Sequence, residues 1–206
     1  ASPTTSAFDA RARTWDDDPR RRKLAESIFA ALEQAVPLRA DMAALDYGAG
    51  TGLLTLALAT RVRRVLAVDA SAGMLAVLAE KARAGGCANV ETLRADFAND
   101  PLPAGPFDLV ASAMTLHHVA DVAGLLRKFF ALLAPGGRIA LADLDAEDGS
   151  FHGPDAPGVH HLGFDRAGLA AQLAAAGFTD VRLADAARSD KNGRAYSVFI
   201  AAARKP

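Results

Sequence analysis

The sequence predicts an α/β fold: a doubly wound, mostly parallel seven-stranded sheet whose carboxy-terminal strand is reversed. Three features carry this prediction. Short apolar runs alternate with helical patterns from Ala43 to Ala176. The first run ends in the glycine-rich turn Gly48–Gly52. The last two runs are joined only by the polar stretch Asp185–Arg194, too short and glycine-broken for a crossover helix, so they pair antiparallel.

Taken in order, Ala1–Ser6 reads as a disordered tail, and residues 1–18 as part tail and part cover for a bound cofactor. Pro19 suits the first turn of a helix, and Leu24, Ile28, Ala31, Leu32 and Ala35 recur at helical spacing until Pro37. The run Arg20-Arg21-Arg22-Lys23 beside Asp16–Asp18 reads as a solvated face, with a phosphate patch as the alternative. Ala43–Tyr47 is a strand and Leu53–Ala59 a helix. Arg64–Asp69 is a second strand, followed by a helix from Ala72 to Arg83, capped by Ser71 and stopped by Gly85-Gly86. Asn89–Ala95 and Phe107–Met114 are the third and fourth strands. Asp121 caps a helix reaching Leu133, and Pro135-Gly136-Gly137 close it before the strand Arg138–Leu144. A helix over Asp165–Ala176 and strands over Phe178–Ala184 and Tyr196–Ala203 complete the pattern. Asp145–Phe164, rich in Gly, Pro, His and Asp, is the one long loop and is read as facing substrate.

Composition narrows the function. The 206 residues fit one domain, and 51% are hydrophobic, enough for a sizeable core. A formal net charge of -1 gives no global field toward nucleic acid or an anionic membrane. The single cysteine, Cys87, excludes an intrachain disulfide framework and suits a reducing cytosol. No apolar run reaches the roughly 18–20 residues of a membrane span, and the amino terminus lacks a signal-peptide core. A soluble, cytoplasmic protein without nucleic-acid or membrane partners is expected; its oligomeric state is not legible.

The sharpest chemical feature is Asp46-Tyr47-Gly48-Ala49-Gly50-Thr51-Gly52-Leu53. Glycines between a strand and a helix let the backbone turn tightly and approach a ligand. Amides at the helix start favour a carboxylate or phosphate. A dinucleotide fingerprint wants its third small residue where Leu53 stands, so the loop fits a dinucleotide poorly.

With these residues in place, the chain resembles the class I S-adenosylmethionine-dependent methyltransferases, in particular the small-molecule group called type 11. DYGAGTG at Asp46–Gly52 is close to that family's first motif, and VDASAGML at Val68–Leu75 to its second. ADF at Ala95–Phe97, FDLVASAMTLHHVAD at Phe107–Asp121 and LLAPGGRIALAD at Leu132–Asp143 follow in the family's order. The resemblance implies a Rossmann-like fold and S-adenosylmethionine as cofactor. It implies that Tyr47, Gly48, Ala49 and Gly50 cradle the methionine part, and that Asp69, beside Ala70, takes the ribose hydroxyls. Asp96 would accept from the adenine amino group, Phe97 and Met74 would border the ring, and Ala113 would lie near the methyl. Asp46 is read as either a ligand contact or a brace for the turn, and Asp96 alternatively as a turn cap.

The implied reaction is in-line transfer of the sulfonium methyl to a small-molecule acceptor, driven by positioning, which in favourable cases contributes about 7–11 kcal/mol. His117 and His118 are the candidate bases, with an orienting role as the alternative. His152, His160 and His161, with Asp155, match no tight zinc spacing, so no metal is expected and a substrate lid is the better reading. Phe8 and Trp15 are candidates for an amino-terminal cover. Strand four ends Ser112-Ala113-Met114-Thr115, unlike the tetrad of exocyclic-amine methylation. A nicotinamide-dependent oxidoreductase and a cofactor-binding regulator without turnover are the rival readings.

Overall fold

The computed structural model describes residues 3–153, 158–191 and 193–206. A seven-stranded sheet organises them in the order β3-β2-β1-β4-β5-β7-β6. Strands β1 (Ala43–Tyr47), β2 (Arg64–Asp69), β3 (Val90–Arg94), β4 (Phe107–Ala113) and β5 (Leu133–Leu144) are parallel. β7 (Arg194–Arg204) lies antiparallel between β5 and β6 (Thr179–Lys191). The reversed last strand of the sequence prediction is therefore present, with β6 at the edge.

Side-chain alternation in β1 shows how the sheet is covered. Ala43, Leu45 and Tyr47 face α5 (Val122–Leu132) and α6 (Arg166–Ala175), where Phe129, Leu126 and Leu169 are buried. Ala44 faces the other way, toward Leu32 of α2 (Pro19–Ala35) and Leu54 and Leu58 of α3 (Leu53–Ala59). Leu75 and Leu78 of α4 (Ala72–Ala84) cover Ala67 of β2. The capping residues act as their chemistry dictates. Ser71 accepts from the Met74 amide, Asp121 from Gly124, Asp165 from Gly168 and Asp18 from Arg20.

Three expectations need correction. Residues 3–6, expected in a disordered tail, belong to α1 (Pro3–Arg11), which continues into a 3-10 segment, Ala12–Asp17. Tertiary bonds hold them: Asp9 accepts from the Ser71 hydroxyl at 2.6 Å and the Gly73 amide at 2.8 Å, and Asp16 accepts from Thr51 and Lys81. Pro135-Gly136-Gly137 do not precede a strand but lie within β5, at a register shift opposite β4. Lys205 pins this bulge, exchanging backbone bonds with Gly136 and Gly137. Finally, β6 runs beyond Ala184 to Lys191 and β7 begins at Arg194, so most of the expected irregular stretch is strand. Pairing across the hairpin supplies the ladder that its polar sequence does not advertise.

Phe129 is fully buried against Tyr47 and Phe97, linking α5 to the carboxyl end of β1. Phe129→Ala is expected to cost about 3–5 kcal/mol in urea unfolding, by transfer and cavity terms together. A loss below about 1 kcal/mol would contradict the packing described here.

Candidate functional site

The carboxyl ends of β1, β2 and β4 open into one cavity of about 1300 Å³, the position at which doubly wound sheets bind ligands. Tyr47, Gly48, Ala49, Gly50, Asp69, Ala70, Met74, Asp96, Phe97 and Ala113 all line it, as do His117 and His118. The structure thus brings the sequence-predicted residues to one place. Further wall comes from the amino-terminal helices, the start of α3, α5, the loop after β5 and the end of β6.

The glycine turn is built against a carboxylate. Gly48, Gly50 and Gly52 have φ of 73°, 54° and 86°, a region in which a side chain is strained. The Gly48 and Ala49 amides donate to the Val68 carbonyl, and the Gly52 amide to Ala49. The Gly50 amide donates to Asp69 Oδ2 at 2.7 Å, while Asp69 Oδ1 accepts from the Ser71 amide at 2.8 Å. Burial pushes the Asp69 carboxyl upward in pKa, against the pull of those two amides. Internal acceptors therefore hold the amides of Gly48, Ala49, Gly50 and Gly52. Each Asp69 oxygen keeps a lone pair, leaving capacity for two hydroxyl donors.

The neighbouring groups divide between structure and surface. Asp46 is buried beside the turn and accepts from Thr55 Oγ1 at 2.6 Å, and burial raises it to about 7. Asp96 caps its own turn through the Ala98 amide and the Asn99 side chain, yet still lines the cavity. Phe97 and Met74 are buried in the wall, with the Phe97 ring 4.9 Å from Tyr47. A Cβ at Gly48 would strike Thr115 within 2.3 Å, whereas one at Gly50 would meet nothing within 4 Å. Gly50 therefore opens on ligand space.

Beyond β4, Met114 adopts φ 54° with its amide on the Ala142 carbonyl, turning the chain toward the cavity. His117 follows, buried, with Nδ1 2.7 Å from Asp143 Oδ1 at the end of β5. His118 Nδ1 donates to the Gly158 carbonyl at 2.8 Å, and burial with the neighbouring His117 lowers its pKa to about 4. A neutral ring held in this way leaves Nε2 as a hydrogen-bond acceptor. The His152 ring stacks 4.7 Å from His117, and burial lowers it to about 4 as well. Phe8 packs against both Trp15 and His118, so the proposed amino-terminal cover does border the cavity.

The other loop histidines have structural partners. The His160 and His161 amides donate to the His117 carbonyl, and His161 Nε2 binds the Val119 carbonyl. Asp155 lies outside the described residues. Sequence reasoning did not single out Asp143, Met114, Arg11 or Lys191. For Asp143 a signal existed, an acid ending an otherwise apolar strand; the others depend on contacts distant in sequence.

Fold and cleft together define a doubly wound α/β protein with an open cavity at the carboxyl ends of its central strands. The fold is that of the class I S-adenosylmethionine-dependent methyltransferases, and residues 44–137 match the family model described as a methyltransferase domain. An uncharacterized methyltransferase of Geobacillus kaustophilus is 35% identical over 126 residues, 59% of this chain and 57% of that protein. The chain spans about half the length of the curated relatives it matches. A methyltransferase structure from Aquifex aeolicus superimposes with TM-score 0.73 at 23% identity, covering 96% of this chain and 98% of that one. The Haemonchus contortus phosphoethanolamine N-methyltransferase 2 complex with S-adenosyl-L-methionine gives TM-score 0.74 at 19% identity, over 88% and 52% of the two chains.

Asp46 supplies a test of the buried turn. Its folded-state pKa lies above the ordinary 3.8, so the folded chain retains a proton that the unfolded chain has lost between about pH 4 and 7. Its contribution is favourable below that window and is lost as pH rises through it. In urea titrations, Asp46→Asn is expected to remove this part of the decline; an unchanged pH dependence would contradict a buried, protonated Asp46.

Proposed function

We propose that this chain transfers a methyl group from S-adenosylmethionine to a small-molecule acceptor. The observation that carries the reading is the occupied glycine turn. Gly50 donates to Asp69, and Gly48 and Ala49 donate to Val68, so the turn holds the Asp69 carboxylate at the cavity wall. Leu53, standing where a dinucleotide loop wants a small residue, disfavours the nicotinamide dinucleotide. The residues fit S-adenosylmethionine: Asp69 retains acceptor capacity for two ribose hydroxyls, and Gly50 faces open cavity.

In this reading Asp69 and Ala70 hold the ribose, while Asp96, Phe97 and Met74 border the adenine. Tyr47 to Gly50 and Ala113 border the methionine portion. When bound, the cofactor supplies an electrophilic methyl group. Neutral His118 accepts a proton from the acceptor if that nucleophile carries one, and His117, oriented by Asp143, fixes the turn that presents it. The helical amino terminus, with Phe8 and Trp15, limits water access over the same cavity. The single half-buried thiol, Cys87, is compatible with work in a reducing compartment such as the cytoplasm. Among the described residues no helix is long and apolar enough to cross a membrane.

Calorimetric titration with S-adenosylmethionine and S-adenosylhomocysteine is expected to give micromolar binding of both, followed by labelled-methyl transfer to a screened acceptor. Asp69→Ala should weaken binding by about tenfold or more through the lost ribose contacts. Gly50→Ala should also weaken it by placing a methyl in ligand space. A folded chain that binds neither nucleoside, or prefers a nicotinamide dinucleotide, would overturn the reading.

Substituting His118→Gln should lower kcat while leaving nucleoside affinity within about twofold, given an acceptor that must lose a proton. An unchanged kcat with such an acceptor would remove His118 from the chemistry.

A further inference from the structure

The cavity continues past the residues assigned to the nucleoside, toward the start of α2 and the end of β6, where cations outnumber carboxylates in its lining. We infer that the methyl acceptor is a small molecule with an apolar body and a carboxylate or phosphate group, held by Arg11, Arg21 and Lys191; this rests on the methyltransferase reading.

These three cations come from separate elements, α1, α2 and β6, and all line the cavity. Arg21 is half-buried and lies 3.8 Å over the Trp15 ring, with one guanidinium nitrogen donating to the Trp15 carbonyl at 2.7 Å. Arg11 reaches the same ring at 5.3 Å. The Lys191 ammonium stands 4.5 Å over Phe151 and donates to the Phe151 carbonyl. Stacking on aromatic faces fixes these groups without neutralising them, and leaves guanidinium donors for an oxyanion.

Counter-charges nearby are engaged elsewhere. Asp18 also borders the cavity, but it forms a two-point pair with Arg20 at 2.9 and 2.8 Å. Asp16 is held by Lys81 and Thr51. Glu147 draws weakly on Lys191, and Asp190 is exposed at the rim. Among the described residues, no carboxylate forms an ion pair with Arg11, Arg21 or Lys191. Burial opposes the charge on Arg21 and Lys191 most strongly; Arg11 and Arg20 add repulsion at Arg21, against the attraction of Asp18 and Asp16, and Arg11, Arg20 and Arg21 add it at Lys191. Convergent like charges at a cavity wall are stabilised by an anion between them.

Leu24, Ile28, Met114 and Phe151 supply apolar surface beside this cluster. Within it, His152 Nε2 is a buried nitrogen with no hydrogen-bond partner. An apolar body with an anionic end thus matches both the walls and the charge.

Trp15 is the only tryptophan, so its fluorescence reports on Arg21. The full chain would be titrated with sodium phosphate and with sodium benzoate, with and without S-adenosylhomocysteine, at ionic strength fixed by sodium chloride. A saturable change with either anion, weakened about tenfold or more in Arg21→Gln and in Lys191→Gln, is expected. Lys191→Gln leaves the Trp15 stack intact, and retained S-adenosylhomocysteine affinity would show that each variant is folded. Response to phosphate alone or benzoate alone would support the site and identify the anionic group. Responses equal to chloride, or equal in wild type and variants, would overturn the inference while leaving the nucleoside site in place. Anion binding without S-adenosylhomocysteine binding would instead sink the methyltransferase reading and keep the anionic site.

Discussion

Asp69 is bonded to two turns at once: Oδ2 accepts from Gly50 after β1, and Oδ1 from Ser71 before α4. Adjacent parallel strands bring those turns side by side, and a carboxylate at the end of β2 is the group that fixes their separation. The Val68 carbonyl, one residue earlier, receives the Gly48 and Ala49 amides. Without these acceptors the glycine turn would carry unpaired amides at the wall of a cavity, a cost of about 1–3 kcal/mol for each buried group. The turn's left-handed glycines, the start of α3 and the orientation of α4 all follow from this junction.

The same junction recruits the amino terminus. Ser71, whose amide donates to Asp69, donates its hydroxyl to Asp9 of α1, and Asp9 also accepts from the Gly73 amide. Asp16 then bridges Thr51 of the glycine turn and Lys81 of α4. One chain of charge-assisted bonds therefore runs from the central sheet to the segment that carries Phe8, Arg11 and Trp15 over the cavity. On the far side, Asp143 at the end of β5 holds His117, and the His117 carbonyl receives the amides of the returning loop. Both walls of the cavity are thus anchored by buried or half-buried carboxylates at strand ends.

Much of this was legible in the sequence. Alternating periods marked the central strands, and Ser71, Asp121 and the glycine turn marked the element boundaries, because those signals are local. The tail was misread for the opposite reason: α1 has little amphipathic pattern, and what orders it is a carboxylate meeting a hydroxyl 62 residues away. The β6–β7 extension was hidden similarly, since Asp185, Arg188 and Asp190 gain their strand geometry only from pairing with Phe199, Ser197 and Ala195. The ligand-wall residues of the first two strands were found through motif order. Arg21 stood in a basic run read as a solvated face with a phosphate patch as the alternative, while Arg11 and Lys191 went unread, because a cluster assembled from both ends of the chain leaves no spacing to read.

The central claim, which rests on the proposed function, is that Asp69 and the turn it braces hold the cofactor's nucleoside. A crystal structure of the chain with S-adenosylhomocysteine tests it most directly. The account predicts both ribose hydroxyls on Asp69, adenine between Asp96 and Met74, and the Gly50–Asp69 bond retained. A nucleoside bound elsewhere, or a turn reorganised to present the Gly50 amide to the ligand, would contradict it.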